Sequence, residues 1–197
     1  MNMRTKIITA VVLVVLMVAV NRVITNLFFG ESVEINFTLL IGINLFSPVS
    51  VLLVLSGLLL GTWWGIAVGA TYAVLYFSLT VLGLFSTTMG WGWFLLTGNL
   101  VHSIIIAGIA GLYTLRRENY LLMIPFSLGA LFWGGLVHAF IHYINLSAYL
   151  PSLPQFLWIV LRSGWVGYIV QSLLATGVAY GIMRLFMRKE ENLLEHS

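Results

Sequence analysis

His138 and His142 are four residues apart, and Asn145 lies three further on. At helical spacing the three share one face. Imidazoles in that register bind metal, move protons or hydrogen-bond a polar ligand. A zinc hydrolase needs a carboxylate with them, as base or as third ligand. Ala139 follows His138 where a metalloprotease carries Glu, and the chain contains no Asp. Its Glu residues are Glu31, Glu34, Glu118, Glu190, Glu191 and Glu195, all outside the deep apolar stretches. The only Glu pair, Glu190-Glu191, falls at the C-terminal end, and Ser163-Gly164 lacks the glycine two positions earlier that an intramembrane serine protease needs. No glycine-rich phosphate loop occurs. The absence of cysteine excludes disulfides, thiolate metal sites and a cysteine nucleophile. The histidines therefore point to binding, and the expectation is a chain that is not an enzyme and carries no cofactor.

Other polar residues inside apolar surroundings extend the set. Arg22 lies with Asn21 and Asn26 near the end of the first apolar run, Asn99 and His102 in the fourth, Tyr143 beside His142, and Arg162, Tyr168 and Gln171 toward the start of the last. Ionisable groups within membrane segments are functional candidates by default. The candidate solute-binding set is Arg22, Asn99, Trp133, His138, His142, Tyr143, Asn145, Arg162 and Gln171, with Trp133 and Trp165 offering flat contacts. Plainer readings stand beside it. Arg22 and Arg162 also suit snorkelling to headgroups, and His102 suits a simple interhelical hydrogen bond. Nine residues separate Arg162 from Gln171, which puts them on opposite sides of a regular helix and Arg162 at the interface or in the loop. Arginines without an interior carboxylate favour an anionic or neutral ligand, so a carboxylate-bearing or neutral ring compound is expected.

The elements that must position these residues follow from hydropathy. Hydrophobic residues make up 60 % of the 197, and charged residues only 8 %, against about a quarter in soluble domains. Such a chain cannot cover itself in water. A membrane helix needs ~20 apolar residues, and six runs qualify: Ile7–Val23, Ile35–Leu60, Trp63–Leu84, Trp93–Leu115, Leu121–Leu146 and Leu157–Phe186. The expected fold is an all-α integral membrane protein, a single six-transmembrane-helix bundle over residues 1–189 with a short polar tail at 190–197. Arg4 and Lys6, Arg116 and Arg117, and Arg184, Arg188 and Lys189 fall on one face of the membrane. By the positive-inside rule both termini are cytoplasmic. No small-x-small cleavage site follows the first run, which is kept as a helix. The net charge of +3 reflects this topology, and no nucleic-acid partner is implied. The candidate set then converges on the outer half of the bundle, as a cup that opens outward, with Leu150-Pro151-Ser152-Leu153-Pro154 as a semi-rigid lid.

Gly57, Gly61, Gly65 and Gly69, continued by Ala73, form a ladder of small residues at four-residue spacing. Such ladders let helix backbones approach closely, either within the chain or in docking on a partner membrane protein. The ladder crosses a turn at Gly61-Thr62. Trp63, Trp64, Trp91, Trp93 and Trp158 sit near expected interfaces and read as belt residues.

This layout resembles the substrate-binding S component of energy-coupling-factor (ECF) vitamin transporters. The resemblance is diffuse and covers most of the chain. The segment from Leu55 through Ser56-Gly57, Gly61-Thr62-Trp63-Trp64-Gly65 to Gly69-Ala70 is similar to the family's second-to-third helix junction. Gly98-Asn99-Leu100-Val101-His102 and Ala107-Gly108-Ile109-Ala110-Gly111-Leu112-Tyr113 resemble its fourth helix. The His138 segment and Val170-Gln171 resemble ligand-lining parts of its fifth and sixth helices, nearest to the thiamine-binding branch. Two departures stand out. Asn99 occupies the place of that branch's glutamate, and Ala10 is followed four residues later by Val14 where many members carry a second alanine for docking. The resemblance implies capture of a vitamin-like small molecule outside the cell. It also implies a transmembrane coupling subunit and cytoplasmic ATPases as partners, and a multi-pass location in a prokaryotic plasma membrane. Two alternatives remain: a six-span scaffold that binds no ligand, and a metal or haem site built on His138, His142 and His102.

Overall fold

The computed structural model describes residues 2–28, 47–82, 92–116, 119–146 and 151–195. Among them are six α-helices and no strand: α1 (Met3–Phe28), α2 (Pro48–Leu60), α3 (Thr62–Val81), α4 (Gly92–Gly111), α5 (Met123–Leu146) and α6 (Leu153–Glu195). Two short 3-10 turns, Leu112–Arg116 and Tyr120–Leu122, connect α4 to α5. The Asn119 side chain caps the second turn by accepting from the Leu121 amide at 3.0 Å.

Five helices are long and apolar enough to cross a membrane, over Met3–Val23, Thr62–Val81, Leu96–Arg116, Tyr120–Ile141 and Gly164–Phe186. The chain is thus an all-helical bundle of the multi-pass membrane kind. Of the second apolar run, only Pro48–Leu60 is helical among the described residues; its expected start at Ile35 lies outside them. The last helix is longer than its apolar run. At 43 residues and 1.5 Å per residue it extends about 64 Å, roughly twice a hydrocarbon core of about 30 Å. It continues to Glu195, so the expected tail from residue 190 is an extension of α6. At its other end Leu153 and Pro154 form the first helical turn, where proline is tolerated because no intrahelical N–H bond is lost. Two of the five residues of the expected lid are therefore helix.

The short α2 is the hub. It packs against α1, α3, α4, α5 and α6, and every residue from Leu53 to Leu60 is buried. Its sequence, PVSVLLVLSGLLL, is apolar on all sides, as a fully enclosed helix must be. Ser56 is silenced by donating to the Leu53 carbonyl at 2.7 Å. The outward surfaces are equally apolar. Ile8, Val11 and Val15 of α1 and Leu173 and Leu174 of α6 are exposed, a pattern that would cause aggregation in water and suits lipid.

The glycine ladder is built into this core. Gly61 has φ +91°, a conformation open to glycine without strain, and the chain reverses there in a single residue. The reversal brings Gly57 and Gly65 together, so that a Cβ on Gly65 would lie 3.0 Å from the Gly57 Cα. Both glycines abut the Ala107 carbonyl of α4, and Gly69 abuts the Ser103 carbonyl. Gly111 of α4 abuts Thr62 in return. The ladder is buried, and a partner protein could reach Gly57, Gly61, Gly65 and Gly69 only by displacing α4. Close packing within the chain accounts for the spacing, in place of the docking surface expected as an alternative.

Candidate solute-binding seam

Polar side chains meet at two contacts of α5, with α4 on one side and α6 on the other. His102 of α4 and His138 of α5 meet with ring centroids 4.8 Å apart and planes at 54°. Gly134 of α5 makes the close packing against α4 possible. Gly98, one turn from His102, leaves only ordinary contact distance to His138, 3.8 Å from a Cβ placed there. A Cβ on Gly134 would collide with Ile106 and only touch His102. The His102 Nδ1 lies 3.0 Å from the Gly134 carbonyl oxygen. A carbonyl only accepts, so Nδ1 carries the hydrogen and the neutral ring keeps Nε2 as its acceptor.

Tyr168 of α6 fills the groove beside Gly135, where a Cβ would overlap its hydroxyl. One turn along α6 is Gln171, 3 % exposed. Neither its Oε1 nor its Nε2 has a hydrogen-bond partner. Deeper along the same α5–α6 seam the Ser127 hydroxyl donates to the Ile124 carbonyl at 2.9 Å and touches the Ser172 hydroxyl, with Thr176 at 3.2 Å. These hydroxyls satisfy one another and act as interhelical glue. The amide of Gln171 is the exception, an orphaned donor–acceptor pair in apolar surroundings. Such groups are rare in native structures and call for a ligand, ion or water.

The structure sorts the expected site residues. His138 lies at the α4–α5 contact, Gln171 is buried on α6 about two turns away along the bundle, and Asn99 is half-buried one turn before His102 on α4. Tyr143 is half-buried and its ring lies 5.7 Å from that of Phe156, joining the end of α5 to the start of α6. His142 and Asn145 fall in α5, but their side chains lie outside the described residues. Three candidates are not on the seam. Arg22 and Arg162 are exposed, and Trp133 is 52 % exposed, edge-on to Phe132. Trp165 is likewise exposed. With both arginines outside, the argument for an anionic ligand loses its basis in geometry. Asn21 is spent elsewhere, donating to the Tyr72 hydroxyl at 2.7 Å between α1 and α3.

Two members of the seam were absent from the expected site, His102 and Tyr168. The signal for them is the pair Gly134-Gly135, which leaves two gaps on α5 that bulky side chains of its neighbours must fill. Among the described residues no cluster of three His, Cys, Asp or Glu side chains forms, so the histidine pair presents two imidazoles and no carboxylate.

The fold defines a multi-pass helical membrane protein with buried polar groups where α5 meets α4 and α6. Comparison of the chain with family models, curated proteins and solved structures finds no match.

Proposed function

We propose that this protein binds a small, uncharged solute through a ring edge that offers both a hydrogen-bond donor and an acceptor, and that it does so as the capture component of a membrane uptake system. The observation that carries this reading is Gln171, whose buried amide has no partner and lies one turn along α6 from Tyr168, the residue that meets Gly135 of α5. A scaffold gains nothing from an orphaned amide that costs about 1–3 kcal/mol to bury. A binding protein recovers that cost when the ligand arrives.

The finer topology belongs to the same proposal: six spans, both termini cytoplasmic, and the seam at the end away from the Lys and Arg clusters. Of nine basic residues, only Arg22 and Arg162 fall at that end, which supports this orientation. No ATP-binding loop occurs in the chain, so active uptake needs partners. The resemblance to ECF S components supplies their kind, a transmembrane coupling subunit with cytoplasmic ATPases, in a prokaryotic plasma membrane.

Native mass spectrometry of the detergent-purified protein, with small-molecule identification after denaturation, tests the reading. A stoichiometric neutral ring compound, absent from a Gln171→Met variant, supports it. A protein that is empty as purified and unshifted in melting temperature by a panel of vitamins and nucleobases favours the scaffold. Bound metal or haem overturns it in favour of the histidine alternative.

A further inference from the structure

Tyr168 stands between Gln171 and the end of the bundle away from the Lys and Arg clusters. It precedes Gln171 by three residues on α6, about 4.5 Å nearer that end, and the two share a side of the helix. Side chains of a helix lean toward its N-terminus, so the Gln171 amide is aimed at the turn that carries Tyr168. Both residues are buried, at 8 % and 3 % exposure. On the facing helix His138 lies three residues beyond Gly135 and so nearer the same end. The order from that end is therefore the His102–His138 contact, the tyrosine ring against Gly135, then the amide.

The ring is held there by packing alone. Its tip fills the space that Gly135 leaves, where a Cβ would overlap the hydroxyl. That overlap involves the far end of a side chain, whereas a Cβ on Gly57 or Gly111 would meet backbone. Tyr168 is therefore able to yield where those contacts are not. Its hydroxyl makes no hydrogen bond to a described residue. A helical tyrosine has two common χ1 wells, near 180° and −60°, so a ring without a polar anchor has two discrete positions rather than a continuum.

We infer that Tyr168 is the gate of the Gln171 site, an inference that rests on the solute-binding reading above. With its tip against Gly135 the ring closes the approach to the amide. When it turns out of that gap it admits the solute. Gly135 is the latch, because any larger residue there holds the ring off. Closed, the ring keeps bulk water from the unpartnered amide, so an arriving solute has no well-ordered water to displace. Gln171 then sets what is bound, and Tyr168 sets how fast it exchanges.

The chain lacks cysteine, so Gln171→Cys provides a single reporter thiol in the detergent-purified full chain, modified by methyl methanethiosulfonate and read by intact mass. With the open state populated about 10 % or less, the thiol should react at least about tenfold more slowly beside Tyr168 than in combination with Tyr168→Ala. Tyr168→Phe should stay slow, because the ring and not the hydroxyl blocks the way. Gly135→Ala should be fast, because it expels the ring tip. Ala179→Cys, fully buried two turns further along α6, takes the reporter's place to detect general loosening and should stay unreactive in combination with Tyr168→Ala. Equal rates with and without the Tyr168 ring, a Gln171→Cys thiol that no variant exposes, or an Ala179→Cys thiol that becomes as reactive as it overturns the gate. No solute enters these rates, so a failed gate is distinguished from a protein found empty in the mass-spectrometric test of the solute reading.

Discussion

Replacing Gln171 with methionine should stabilise the protein and disable it at once. Methionine is close in volume, flexible and has no strong hydrogen-bonding group, so the site neither collapses nor overpacks. In the wild type Oε1 and Nε2 are both buried and unpartnered. A buried polar group in that condition costs about 1–3 kcal/mol in a water-soluble protein. Here the unfolded reference also lies in the membrane, where hydrogen bonds average only about 0.6 kcal/mol. The relief on substitution is therefore near the low end, about 1 kcal/mol. Binding moves the other way. An amide that donates and accepts makes two hydrogen bonds with its ligand, each worth about 0.5–1.5 kcal/mol net. Affinity should fall about 5- to 150-fold. Ligand-free protein is compared by reversible denaturation in mixed detergent, and occupancy of the co-purified compound by native mass spectrometry. If Gln171→Met unfolds more readily by about 1 kcal/mol or more, the amide has a structural partner and the argument for a ligand at this position fails.

Three further outcomes follow from packing and topology. Gly57→Ala places a Cβ against the Ala107 carbonyl, the Gly111 amide and the Ala110 side chain; two of these are backbone and cannot swing away, so a loss of about 1–3 kcal/mol or more is expected in the same denaturation assay, whereas Gly177→Ala, with nothing within 4 Å, should be neutral or better. A double-mutant cycle on Asn21→Ala and Tyr72→Phe should return a coupling of about 0.5–1.5 kcal/mol, and a coupling near zero would mean that the 2.7 Å bond between α1 and α3 adds nothing. Because the chain lacks cysteine, Thr5→Cys and Ser152→Cys serve as single-thiol reporters in intact cells, and a membrane-impermeant maleimide should label only the second; labelling of the first alone inverts the proposed orientation.

The apolar runs and the glycine ladder were legible in the sequence because they follow from solvent and sterics alone. Five of the runs reappear as helices long enough to span, and the reversal falls at Gly61, where two apolar runs had to be separated. The rotation of each helix was not legible. Membrane helices here are apolar around their whole circumference, so hydrophobic periodicity does not say which side faces lipid. Residue type alone therefore offers Trp133, Trp165, Arg22 and Arg162 to a pocket, with snorkelling as the plainer reading of the two arginines, and all four are exposed in the structure. The central place of α2 was hidden for the same reason, since an enclosed helix and a lipid-facing one share a composition. What breaks the degeneracy is size. Glycines mark the faces of close approach, and the side chains that enter their gaps are fixed by that approach. Gly134 admits Ile106, and Gly135 admits Tyr168, which carries Gln171 one turn further along the same side of α6. Read in this order, the seam follows from where side chains are missing, and the polar residues that deserve weight are those standing opposite a glycine.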